Sequence, residues 1–118
     1  METKDTIAAL AALAQDSRLA VFRLLVQVGP EGMAASKIAE QLDVSPSALS
    51  FHMKELAHAK LVSSRSEGRF VIYSANFARM NELIAFLTEN CCGGQAGAPV
   101  AVCCPTVASE AQTDTSPE

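Results

Sequence analysis

At 118 residues the chain has room for one domain with a real core and not for two. Nearly half of it is apolar (49%), yet no apolar run approaches the ~20 residues needed to span a bilayer. The opening METKDT lacks the basic-then-apolar layout of a secretory leader, which places the protein in the cytoplasm, with no membrane partner. Its four cysteines are then ligands or redox thiols rather than structural disulfides. The formal charge of −4 is unevenly spread: residues 1–34 net −1, residues 35–72 net +1 and residues 73–118 net −4. Local potential governs phosphate contact, so a mildly basic middle permits nucleic-acid binding, although an ordinary solvated surface gives the same figures.

Taken in chain order, Ile7, Leu10, Ala11 and Ala14 fall at i, i+3, i+4, i+7 and predict a helix over about residues 4–14. Asp16 or Ser17 can cap the next helix, LAVFRLLVQV, which ends at Gly29-Pro30 and is apolar nearly all round. A short helix follows at about 37–42, with Ile38, Ala39 and Leu42 inward. The clearest start signal is Ser45-Pro46: serine accepts a backbone N–H, and proline at the first helical position has no N–H to lose. That helix, to about residue 59, buries Leu49, Met53 and Leu56. Its other face carries Ser47, Ser50, Phe51, Lys54 and His58. Two β-rich runs, LVSSR and RFVIYS, surround Ser66-Glu67-Gly68 and predict a hairpin. Asn76 can cap a last helix striped by Phe77, Met80, Leu83, Ile84 and Leu87. Beyond Asn90 periodicity stops, and from Thr106 the composition is that of a disordered acidic tail.

The order is four helices, a hairpin and a fifth helix: a mainly α (α+β) chain. A short helix, the turn Asp43-Val44 and a Ser-Pro-capped helix make a helix-turn-helix, with the hairpin as its wing. The division expected is a DNA-binding and dimerisation domain over 1–90, a cysteine-rich segment over 91–104 and a tail over 105–118. A recognition helix needs small polar residues near its N-terminus to reach base edges, and Ser45, Ser47 and Ser50 meet that need, with Lys54 for a phosphate. A serine-rich solvated face is the plain alternative. Phe51 either touches a thymine methyl or sugar in a groove or tucks against the preceding helix. His52, beside the buried stripe, is either a packing residue or a base reader. Arg65 and Arg69 flank the hairpin tip, within reach of phosphates or a minor groove.

The segments ALAQDSRLAVFRLL, LDVSPSALSFHMKEL and EGRFVIY, within a stretch from about Ile7 to Asn90, resemble the ArsR/SmtB family of metal-sensing repressors. The resemblance implies a homodimer joined through the first and last helices, bound to a double-stranded inverted-repeat operator and displaced by an inducer. Two family sites are missing. Positions matching a Cys-x-Cys arsenic site hold Ala34 and Ser36, and the last helix has no histidine for zinc, only Glu82 and Glu89 beside Asn81. ENCCGG…CC looks like a third branch, with adjacent cysteines after the last helix and another thiol downstream. Lys60 stands where the family usually has glycine; closing the helix in left-handed geometry there costs about 1 kcal/mol.

All the cysteines lie in two vicinal pairs, Cys91-Cys92 and Cys103-Cys104, separated by ten residues. Soft thiolates select soft or borderline ions. Trivalent arsenic or antimony takes three sulfurs in a pyramid, and one pair plus a thiol folded back across the loop supplies them. The loop costs roughly 2 kcal/mol to close in its length-dependent part. The reading is a repressor that needs no cofactor and takes As(III) or Sb(III) as inducer. Its rivals are a thiol redox switch on the same fold and a DNA-independent metal-binding module. Zinc favours Cys-x₂₋₄-Cys spacing, which neither pair has. No phosphate loop, Cys-x-x-Cys or nucleophile–base arrangement suggests an enzyme.

Overall fold

The computed structural model describes residues 1–94. Residues Met1–Leu83 form one compact unit, and a second begins at Ile84. The elements are α1 (Thr3–Leu13), α2 (Asp16–Val28), β1 (Met33–Ala34), α3 (Ala35–Leu42), α4 (Pro46–His58), β2 (Val62–Glu67), β3 (Phe70–Ala75), α5 (Phe77–Leu87) and a single turn, α6 (Cys91–Gly94). This is the expected winged helix-turn-helix with one strand added. Met33 and Ala34 pair antiparallel with Tyr73 and Ile72, giving a three-stranded sheet of order β1-β3-β2.

The core of the first unit centres on Val21, Leu25, Ile38, Met53, Leu56 and Leu61, all fully buried. It is drawn from α2, α3, α4 and the root of the wing. α1 lies on it through small side chains, Thr6, Ala9 and Ala12. Thr6 satisfies its buried hydroxyl on the Glu2 carbonyl at 3.1 Å. The larger stripe read from the sequence faces the other way: Ile7 and Leu10 remain 61% and 43% exposed. Periodicity located the helix, but the small residues meet the core and the large ones face out. On α5, Leu83 is only 7% exposed and belongs to the protomer's own core. The helix's outward apolar residues in the second unit are Ile84 and Leu87.

Local capping explains the boundaries. α2 starts on Gln15, whose Oε1 accepts the Arg18 N–H at 2.9 Å, not on Asp16 or Ser17. Arg18 is drawn back by its Nε, which donates to the Ala12 carbonyl at 2.6 Å, and Asp16 falls inside the first turn, where a negative charge suits the helix dipole. α3 begins at Ala35, two residues earlier than the periodicity suggests, because β1 runs directly into it. It ends at Asp43 in left-handed geometry (φ 54°), with the Val44 N–H returning to the Ala39 carbonyl at 3.0 Å. α4 is capped as expected: Ser45 Oγ accepts the Ala48 N–H at 3.2 Å, with Pro46 at the first position. Asn76 caps α5 through Oδ1 to the Arg79 N–H at 3.1 Å.

Candidate nucleic-acid interface and thiol pair

On α4 the side chains divide cleanly. Leu49, Met53 and Leu56 are buried, while Ser47, Ser50, Phe51, Lys54 and His58 are exposed along the outer face. Ser45 is spent as the cap, and its Oγ lies 3.5 Å from that of Ser47. Phe51 does not tuck against α3; it is 56% exposed, its ring meeting the edge of His52 at 5.9 Å between centroids. His52 is half-buried, with Nδ1 enclosed and without a hydrogen-bond partner among the described residues.

The wing projects with every β2 residue after Val62 exposed. Arg69 follows Gly68 (φ 62°) at its tip, as the sequence suggests. Arg65 does not flank the tip. It sits opposite Ile72 in the ladder, bound to Glu67 Oε2 at 2.8 Å and donating to the Glu31 carbonyl at 2.8 Å. Its guanidinium therefore braces the wing against the loop before β1. Among the described residues Lys37, Lys54 and Arg69 form no ion pair, which leaves one exposed cation each on α3, α4 and the wing tip.

Two structural residues carry no signal in the sequence. Arg79, its side chain 16% exposed, joins Asp5 of α1 at 3.8 Å and Glu82 at 3.4 Å. Gly32 holds φ 75° where a Cβ would run into the Tyr73 backbone carbonyl, so the β1–β3 pairing requires glycine there.

In the second unit, α5 gives way to left-handed backbone at Asn90 (φ 59°), Cys92 (φ 56°) and Gly93 (φ 73°). Adjacent side chains on a regular helix diverge by about 100°, and on a strand they point to opposite faces. The left-handed turn instead brings the Cys91 and Cys92 Sγ atoms to 3.7 Å, with Cys91 half-buried and Cys92 exposed. Two thiolates on one thiophilic ion at about 2.3 Å and tetrahedral angles stand about 3.8 Å apart. Among the described residues no group of three His, Cys, Asp or Glu side chains is assembled to hold a metal. Cys103 and Cys104 lie outside the described residues.

A family model for a helix-turn-helix domain matches residues 13–65. A curated relative, the nodulation protein NolR of Rhizobium meliloti, is 31% identical over 80 residues, 68% of this chain and 63% of its own. The chain thus spans under two thirds of that relative's length. Among solved structures, NolR from Sinorhizobium fredii is 30% identical with TM-score 0.59, covering 73% of this chain and 83% of its own. An ArsR-like transcriptional regulator from Rhodococcus sp. RHA1 is 29% identical with TM-score 0.62, covering 71% and 76%. The homodimeric winged helix-turn-helix DNA-binding domain of Mb0332 from Mycobacterium bovis is 26% identical with TM-score 0.59, covering 74% and 81%. The chain belongs to the ArsR family of winged helix-turn-helix transcriptional regulators. Within this ArsR-family regulator, Ala34 ends β1 and Ser36 lies in the first turn of α3, so the positions matched to a Cys-x-Cys site carry no thiol. Ser36 instead lines a cavity of about 230 Å³ between α3, α4 and Tyr73. Among the described residues no helix is long and apolar enough to cross a membrane.

Proposed function

We propose that this regulator is a homodimeric repressor that holds operator DNA and releases it when trivalent arsenic or antimony binds its C-terminal cysteines. The DNA contact is assigned to Ser47, Ser50, Phe51 and Lys54 of α4 in the major groove, with Lys37 on a phosphate and Arg69 at the wing tip. Support comes from the exposed polar face of a helix capped by Ser45 and from the three exposed cations around it. His52 stays in the site only through its ring, since Nδ1 is enclosed.

Dimerisation is supported by apolar surface left uncovered in the protomer, Ile7 and Leu10 in the first unit and Ile84 and Leu87 in the second. The homodimeric Mb0332 domain has the same fold.

The observation that carries the inducer is the 3.7 Å separation of the Cys91 and Cys92 sulfurs, close to the span one thiophilic centre bridges. A third sulfur from Cys103 or Cys104 completes a pyramid. Coordination beyond the end of α5 then biases that helix, and with it the spacing of two recognition helices; coupling of this kind is typically 1–3 kcal/mol, or about 5–150-fold in affinity.

The test is fluorescence anisotropy of a labelled duplex from the promoter of the protein's own gene, titrated with arsenite, antimonite, methylarsenite, Zn(II) and peroxide. Release by the trivalent metalloids is expected. Release by peroxide alone would instead establish the thiol redox switch, and absence of any footprint would leave a DNA-independent metal-binding module. Serine at 91 or at 92 should abolish release with DNA binding intact. Serine at 103 or 104 singly should be tolerated, because its neighbour can take over, and the double change should weaken the response strongly.

A further inference from the structure

Phe51 is the one large apolar side chain on the outer face of α4, at 56% exposure, among Ser47, Ser50 and Lys54. It is not among the apolar residues packed on the core, and it forms an edge-on ring pair with His52, at 5.9 Å between centroids and 64° between planes. His52 is itself half-buried, with Nδ1 enclosed, and the phenyl ring beside it stays exposed. A ring exposed on that face, one turn after Ser47, must meet whatever the helix meets.

The serine hydroxyls and the Lys54 ammonium can serve many base edges or a phosphate. A phenyl ring cannot. The major-groove edges of adenine, guanine and cytosine present hydrogen-bond donors and acceptors, and covering them with an apolar ring strips their water without replacement. Thymine alone displays a methyl group there. We infer that Phe51 is a specificity-determining residue that packs on a thymine 5-methyl group, fixing an A·T pair in each half-site. The inference rests on the proposed reading that α4 enters the major groove.

The test uses the full chain and duplexes it selects from a random pool. Each thymine is replaced in turn by deoxyuridine, which lacks only the methyl group. One thymine position per half-site should lose about fourfold in affinity, the ratio that about 0.8 kcal/mol per buried methyl-sized group corresponds to. Phe51→Ala should bind thymine and deoxyuridine duplexes alike at that position, and Phe51→Leu should keep part of the preference. Phe70→Ala, a change at the comparably exposed wing residue, should leave the methyl dependence intact. A wild-type protein indifferent to deoxyuridine everywhere overturns the inference even if Phe51→Ala does not fold. So does a methyl effect that survives Phe51→Ala. Selection of no duplex at all removes the DNA reading itself, and this inference with it.

Discussion

Replacing Lys60 by glycine should make the protein more stable, and the geometry says by how much. α4 ends at His58; the Lys60 N–H then returns to the Ala57 carbonyl at 2.9 Å and the Leu61 N–H to that of Leu56 at 3.0 Å. This is the paired closure that needs one left-handed residue, with an apolar contact across it. Lys60 takes that conformation at φ 65°, and Leu56 and Leu61 are both fully buried. The bend cannot relax, because its carbonyl accepts from Asn76 Nδ2 at 3.0 Å and the Asn76 N–H donates to Leu61 at 2.8 Å. A residue with a Cβ gives up about 1–2 kcal/mol in this region. Glycine returns about 0.4–1 kcal/mol of that through the greater freedom of its unfolded chain. The net gain is about 0.5–1 kcal/mol, or a rise of about 3–6 °C in melting temperature for a domain of this size. Thermal melts at matched protein concentration check it, since dimerisation makes the midpoint concentration-dependent. Lys60→Ala removes the charge but keeps the Cβ, and should not raise the midpoint. A lower midpoint for Lys60→Gly, or an equal rise for Lys60→Ala, would refute the strain argument.

Three further outcomes are expected. Leu87→Glu should split the dimer in sedimentation velocity while leaving far-UV circular dichroism unchanged, whereas Leu83→Glu, placing a charge at a position only 7% exposed, should unfold the protomer. DNA affinity should fall with salt at a log–log slope of about −5, from Lys37, Lys54 and Arg69 on each of two subunits. Arg65→Ala should leave that slope unchanged, since Arg65 is occupied by Glu67 and the Glu31 carbonyl. Gly32→Ala, which forces a Cβ into the Tyr73 carbonyl at φ 75°, should cost more than about 2 kcal/mol in chemical denaturation.

What could be read from the sequence alone was whatever is decided locally. Ser45-Pro46 and Asn76 announce helix ends through chemistry within a few residues, and each sits where that chemistry puts it; the left-handed closure at Lys60 followed from the family resemblance, since a lysine side chain carries no such signal. The α4 face was legible for the same local reason, its buried and exposed positions separating at helical spacing. What escaped depends on partners distant in the chain. β1 is two residues long, too short for a period to register, and exists because β3 offers it an edge. Arg65 looks like a free wing cation until the backbone carbonyl of Glu31, 34 residues away, accepts a hydrogen bond from it. Arg79 meets Asp5 across almost the whole unit. On α1, periodicity could not tell a face that meets the core from one left for a partner, because Ala9 and Ala12 are as apolar in pattern as Ile7 and Leu10.

The proposed DNA and thiol sites are built on opposite physical principles, and that contrast bears on how one could control the other. The α4 face is fixed by a cap, a proline and three buried side chains, so its geometry resists small forces. The thiols follow α5 through two non-glycine residues in left-handed backbone, Asn90 and Cys92, each carrying about 1–2 kcal/mol of strain. Vicinal cysteines on regular backbone diverge, so the left-handed Cys92 is what holds the sulfurs together. A centre bonded to both sulfurs stabilises that strained turn over its relaxed alternatives. The strain is of the same order as a typical coupling free energy of 1–3 kcal/mol between sites. A switch of that size therefore needs no deformation of the recognition helix. It needs that the turn after α5 exist in two states, that the inducer prefer one, and that the two differ in the dimer spacing the operator requires.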